Sequence, residues 1–177
     1  MWELIVLVPI LVLSAWTTFH TIGTLSPRKN QGWQVKIEEM TKLFNSASDH
    51  IHIVTDLSRE FFTDSVVLES LREATKRGVH VRIVHDPNGY QLNELVGLQN
   101  LIEGGLIEAR QAKQSFTRET VRHVMEIDGR WARLETYHPP KQMVHAGADA
   151  RIYRSPAVAH FAEVEFNRAW ELTESQP

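Results

Sequence analysis

Side chains able to grip a phosphate or move a proton crowd one stretch of this chain: Arg122-His123, Asp128-Gly129-Arg130, Arg133, Glu135-Thr136 and His138. An imidazole that titrates near pH ~6.5 can hold an anion when protonated, or act as acid or base when paired with a second one. His123 is the leading candidate, with His138 as its partner across a hairpin. Arg122 and Thr136 add a cation and a hydroxyl for an anionic ligand, and Asp128 adds a carboxylate. The candidate catalytic set is thus His123, His138 and Asp128, and the candidate ligand-binding set is His123, His138, Arg122 and Thr136. Each has a plainer reading. His123 could be a hydrogen-bonded, partly buried residue, His138 before Pro139-Pro140 an ordinary loop residue, and Arg122, Arg130 and Arg133 a solvated strand face.

Glu126 and Glu135 are the carboxylates that would complete a His/Glu metal cluster. Strand alternation sends Glu126 to the face opposite His123, and the spacing matches no His-Glu-x-x-His pattern, so no metal and no cofactor is expected. The absence of cysteine excludes thiolate nucleophiles, disulfides and zinc ribbons. Nineteen Lys and Arg against 22 Asp and Glu give a net charge of −3, which argues against nucleic acid as a partner held by charge. At 177 residues, 42% hydrophobic and 23% charged, the chain is sized for one globular domain with an appendage.

The elements that must carry these residues are legible in the periodicity. Val35, Ile37, Met40, Leu43 and Phe44 recur at helical spacing over 34–47, and Ile51-His52-Ile53-Val54-Thr55 alternates as a strand. A second helix over 64–77 starts at an Asp64 or Thr63 cap, presents Val66, Val67, Leu68, Leu71 and Ala74, and stops at Gly78. Val79 to Val84 is the next strand, its inner positions Val79, Val81 and Ile83. Strand, helix and strand in this order form a βαβ unit with parallel strands, so the fold class is α/β. Leu92 to Ile102 reads as a further helix, and Leu106 to Ala109 as a short strand. Two β runs, Thr120–Ile127 and Trp131–Thr136, meet at Asp128-Gly129, a dipeptide suited to a tight hairpin. A last strand is expected at Arg151-Ile152-Tyr153, then a closing amphipathic helix over Val158–Leu172 with Phe161, Val164, Ala169 and Trp170. Asp86-Pro87-Asn88-Gly89 reads as a turn at the strand edge where open α/β sheets bind ligands.

The N-terminus has a different character. No Lys, Arg, Asp or Glu occurs from Leu4 to Pro27, and residues 4–22 are long enough, at about 1.5 Å per residue, to span a bilayer core of roughly 30 Å. Glu3 stands where a signal peptide carries positive charge, so an uncleaved single-pass anchor is expected within residues 1–25. Arg28, Lys29 and Lys36 follow it, which places the remainder in the cytoplasm. Residues 26–32 are the linker, and 33–177 the folded domain.

Ile51-His52-Ile53-Val54, Leu68-x-x-Leu71-x-x-Ala74-x-x-Arg77-Gly78-Val79-x-Val81-x-Ile83, the Asp-Gly hairpin and the Phe161/Phe166/Trp170 helix together resemble one copy of the phospholipase D superfamily domain. The resemblance implies a phospholipase-D-like mixed sheet flanked by helices. It also implies a His-x-Lys-x4-Asp motif followed by Gly-Ser-x-Asn, with two copies meeting so that one His attacks phosphorus and the other protonates the leaving oxygen. A single-copy chain would then act as a homodimer. Aligned on Asp128-Gly129, Val121 falls at the His position, His123 at the Lys, Glu135-Thr136 at the Gly-Ser and His138 at the Asn. A valine can neither attack phosphorus nor shuttle a proton. Only Asp128 keeps the motif, where it orients rather than reacts. The chain therefore reads as a membrane-anchored, non-catalytic binding or scaffolding module for an anionic phosphoryl ligand or a partner protein. Two alternatives stand beside it: a phosphodiesterase with a rearranged site on His123 and His138, and a structural partner in a membrane complex.

Overall fold

A computed structural model of the chain describes residues 28–29, 33–116, 123–135 and 150–173. Its centre is a seven-stranded mixed sheet: β1 (Arg28–Lys29), β2 (His50–Thr55), β3 (His80–His85), β4 (Ile107–Gln111), β5 (Val124–Ile127), β6 (Trp131–Glu135) and β7 (Ala150–Arg154), in the order β1-β7-β6-β5-β2-β3-β4. β2, β3 and β4 are parallel, while β5 pairs antiparallel with β2, and β6 and β7 continue antiparallel. The expected βαβ unit is therefore present.

Alternation along the strands divides the sheet into two apolar faces. Ile51, Ile53, Val81, Ile83, Met125 and Ile127 lie in one core with helices α1 (Trp33–Ser46), α3 (Ser65–Lys76) and α4 (Val96–Glu103). Val54, Val84, Val124 and Ala132 lie in a second core under α5 (Pro156–Glu171). α3 has the ends its sequence specifies. The Asp64 carboxylate accepts from the Val66 and Val67 N–H groups, and Gly78 follows at φ +88°. Arg77 supplies the tie between helices, donating from Nη2 to the Phe44 carbonyl at 2.8 Å.

Several expectations are corrected. The helix expected over 92–102 breaks into a 3₁₀ turn at Leu92–Glu94 and α4, because the Gln91/Glu94 capping box closes the first turn and Leu95 turns inward. A short helix α2 (Arg59–Phe62), absent from the periodicity, buries Phe61 and Phe62. On α5 the buried stripe is Ala159, Ala162, Phe166 and Ala169, so Phe161 and Val164, expected to face inward, are 39% and 50% exposed. Val66 is likewise exposed. Among the described residues no helix is long and apolar enough to cross a membrane, and the anchor expected over 4–22 lies outside them.

Candidate functional site

The carboxyl ends of β2, β3 and β4 form one edge of the sheet, where open α/β sheets hold their ligands. His123 sits at this edge, just ahead of β5. It is 4% exposed, its ring lies edge-on to Phe116 with centroids 6.0 Å apart, and its carbonyl accepts from the Glu135 N–H. Asp86 belongs to the same edge and is fully buried. Its carboxylate accepts from the Asn88 N–H, the Ser115 hydroxyl and, at 2.6 Å, the Phe116 N–H. The sequence Asp86-Pro87-Asn88-Gly89 is thus a turn, as expected, and also a clasp on the segment after β4. Gly89 packs against the Asp56 carbonyl too closely for any Cβ. Leu57, at φ 58°, takes the left-handed conformation beside it, with its N–H donated to the Thr55 hydroxyl. An apolar cavity of about 160 Å³ lined by Ala112, Ser115, Phe116, Ala169 and Leu172 opens nearby. That volume is well below the roughly 300 Å³ at which sites for drug-sized molecules begin.

The opposite edge holds a second cluster. His50 and His52, two residues apart on β2, point to the α5 side, and the register sets Glu126 directly across from His52. The His50 Nε2 lies 2.6 Å from Glu126 Oε2, its Nδ1 lies 2.8 Å from the Asp49 carboxylate, and the Gly129 N–H donates to Glu126 Oε1 at 2.5 Å. The His52 ring is sandwiched between His50 and Phe166, with centroids 4.4 and 4.2 Å away. The hydrogen bond to Glu126 raises the His50 pKa to about 9, against the opposing effect of burial and with help from Asp49. For Glu126, burial pushes the pKa up, but hydrogen bonds, chiefly from His50, outweigh it and hold the carboxyl below its ordinary value.

Asp128 belongs to this edge, not to that of His123, since five strand steps of about 3.3 Å separate the two. Its carboxylate accepts from the Ser48, Asp49 and His50 N–H groups and from the Ser48 hydroxyl, at 2.9 to 3.0 Å. It is a cap for the start of β2. Burial raises its pKa, but these donors win and hold it below the ordinary value. Asp128→Ala is expected to cost about 1–3 kcal/mol by leaving these donors without their acceptor, with Asp128→Asn costing less because one oxygen remains. Urea titration of both variants checks this. A cost of Asp128→Ala within 0.5 kcal/mol, the level usual for neutral surface changes, would refute the cap.

The structure therefore does not gather the candidate catalytic set, because His123 and Asp128 stand at opposite ends of β5. Arg122, Thr136 and His138 lie outside the described residues. Of the three hairpin arginines, Arg130 is exposed, whereas Arg133, expected on a solvated face, is 4% exposed and pairs with Glu135 at 2.8 Å. It faces the α1 side of the sheet, beside the Met125 and Ile152 register positions. Sequence reasoning missed His50 and His52. The signal was available in the His-x-His spacing on a strand, which puts both rings on one face, but the strand lying opposite is set by long-range pairing.

No curated protein matches the sequence. Among solved structures the chain is similar to TrmBL2, an archaeal chromatin protein, with a TM-score of 0.61 at 14% identity over 85% of this chain and 54% of that one, so it spans about half of that relative. It is also similar to Nuc, a phospholipase D family member from Salmonella typhimurium, with a TM-score of 0.60 at 17% identity over 85% of this chain and 99% of that one. NucT from Helicobacter pylori gives a TM-score of 0.62 at 14% identity over 85% of this chain and 98% of that one. At such identities the likeness is one of fold. The family model described as the phospholipase-D-like domain of cardiolipin synthase matches residues 40–163, from the middle of α1 into α5. That span takes in most of both cores, the Asp128-Gly129 hairpin and the βαβ unit, and with it the chain belongs to the phospholipase-D-like domain family.

Proposed function

We propose that this phospholipase-D-like domain binds a phosphoryl-bearing anion without hydrolysing it, and that residues 4–22 hold it at a bilayer. One observation carries the reading. The position where the resemblance puts the nucleophilic imidazole is Val121, and His123, two residues on, is 4% exposed and packed against Phe116 rather than open to a substrate. Attack on phosphorus needs a nucleophile with an accessible lone pair, and neither side chain offers one. The fold itself is compatible with binding, since it recurs in a chromatin protein described by its mode of DNA binding. For this chain the net charge of −3 favours a small anion over a nucleic acid.

A second reading, a phosphodiesterase with a rearranged site on His123 and His138, is favoured by the near-complete coverage of Nuc, described as a phospholipase D family member, and of NucT. The two separate in one pair of assays on the full chain in mild detergent. Binding predicts a saturable rise in melting temperature with phosphodiesters or phosphorylated headgroups, and no release of nitrophenol from bis(nitrophenyl) phosphate above the blank. Turnover that disappears in His123→Ala would establish the enzyme instead.

A further inference from the structure

We propose that His50, His52 and Glu126 form a binding site for one divalent transition-metal ion of the zinc class, with a fourth coordination position left for water. Three potential ligand atoms, one from each residue, lie within 4.8 Å of one another. They converge through backbone register. His50 and His52 share one face of β2, and Glu126 is the residue of β5 paired across from His52. Rigid paired strands are the kind of support that fixes ligand geometry.

Distances and partners agree with this use. Zinc–ligand bonds of about 2.0–2.1 Å at tetrahedral angles separate ligand atoms by about 3.3–3.4 Å. The His52 Nδ1 stands 3.4 Å from Glu126 Oε2, while the His50 Nε2, at 2.6 Å, would open by about 0.7 Å once an ion replaces the proton between them. That proton leaves to solvent as the imidazole lone pair turns to the metal. The outer partners are in place as well. The Asp49 carboxylate holds the far nitrogen of His50, the Gly129 N–H holds the far oxygen of Glu126, and Phe166 fixes the His52 ring by stacking at an interplanar angle of 3°. The His52 Nδ1 is buried and makes no well-aligned hydrogen bond among the described residues, its contact with Glu126 Oε2 being long at 3.4 Å. A buried imidazole nitrogen held only by so long a contact gains from a ligand that takes its lone pair. Access is retained, because the His50 and His52 side chains keep 19% and 12% of their surface open while Glu126 is closed. Two imidazoles and one carboxylate suit zinc, and less so the oxygen-seeking magnesium or calcium. The site lies at the edge opposite His123, so its occupancy does not depend on what binds there.

The test uses the full, untagged, chelator-stripped chain in mild detergent, titrated with zinc chloride and, in separate runs, magnesium chloride. One zinc per chain should bind below the micromolar range and raise the melting temperature, while magnesium should do neither. His52→Gln should weaken zinc at least 100-fold. His160→Gln, on an exposed α5 position, should leave it unchanged. Unchanged zinc affinity in His52→Gln, or no saturable binding to the natural chain, overturns the proposal. Should His52→Gln fail to fold, histidine ring nitrogen resonances of the natural chain decide. Zinc must move those of His50 and His52, and movement confined to other histidines sinks the site.

Discussion

Glu126→Ala is expected to destabilise the metal-free chain by about 3–5 kcal/mol at pH 6, the range found when one member of a buried charged pair is removed. Glu126 is fully buried, binds His50 at 2.6 Å and also satisfies the Gly129 N–H that fixes the hairpin turn. Without it a protonated His50 is left, among the described residues, with the exposed Asp49 carboxylate alone. The loss should shrink with pH for a reason that can be signed. The folded pKa of His50, about 9, lies above its ordinary 6.5. The stability from the pair is therefore complete below pH 6.5 and disappears as pH rises through 9. Solvent around the partly open ring keeps this contribution near 2 kcal/mol rather than the full linkage value. Urea melts of both proteins in chelator at pH 6 and pH 9.5 provide the check. Parallel pH profiles for the natural chain and Glu126→Ala would show that the pair does not contribute.

Phe166→Ala should cost a similar amount, about 3–5 kcal/mol, through the lost transfer energy of a phenyl ring and the cavity it leaves. Phe166 has no exposed surface, stacks on His52 and leans on Trp170, with centroids 5.4 Å apart. The other fully buried residues of α5 are alanines, with Val158 and Trp170 packed partly buried beside them, so Phe166 is the one large side chain of the helix with no exposed surface. Phe166→Leu should lose less than about 1.5 kcal/mol, since most of the volume is retained. Phe161→Ala, at a position 39% exposed, should stay within about 1 kcal/mol. Equal losses at 161 and 166 in thermal or urea denaturation would mean that the buried face of α5 is misassigned.

What could be read from the amino acids and what could not divide along the range of the forces involved. Asp64 and Gly78 mark the ends of α3, and Asp128-Gly129 marks the hairpin, where both residues adopt positive φ. Each signal acts within a few residues, through a cap or a permitted backbone region, and so is written locally. Alternation sends Glu126 away from His123, and the structure sets it on the α5 side. What it meets there, two imidazoles 74 and 76 residues earlier, follows from the antiparallel pairing of β5 with β2.

The same limit explains α5. Its sequence supplies a helix with apolar residues around more than one side, and packing chose the alanine and Phe166 stripe over Phe161 and Val164. By itself, then, the sequence determined the α/β class, the βαβ unit and the turn chemistry. Tertiary structure alone decided that His123 is shut in against Phe116, that Asp128 caps β2 at the far edge, and that His50, His52 and Glu126 meet. Those three results depend on contacts between residues distant along the chain, whose register is fixed only when the whole sheet closes its two cores.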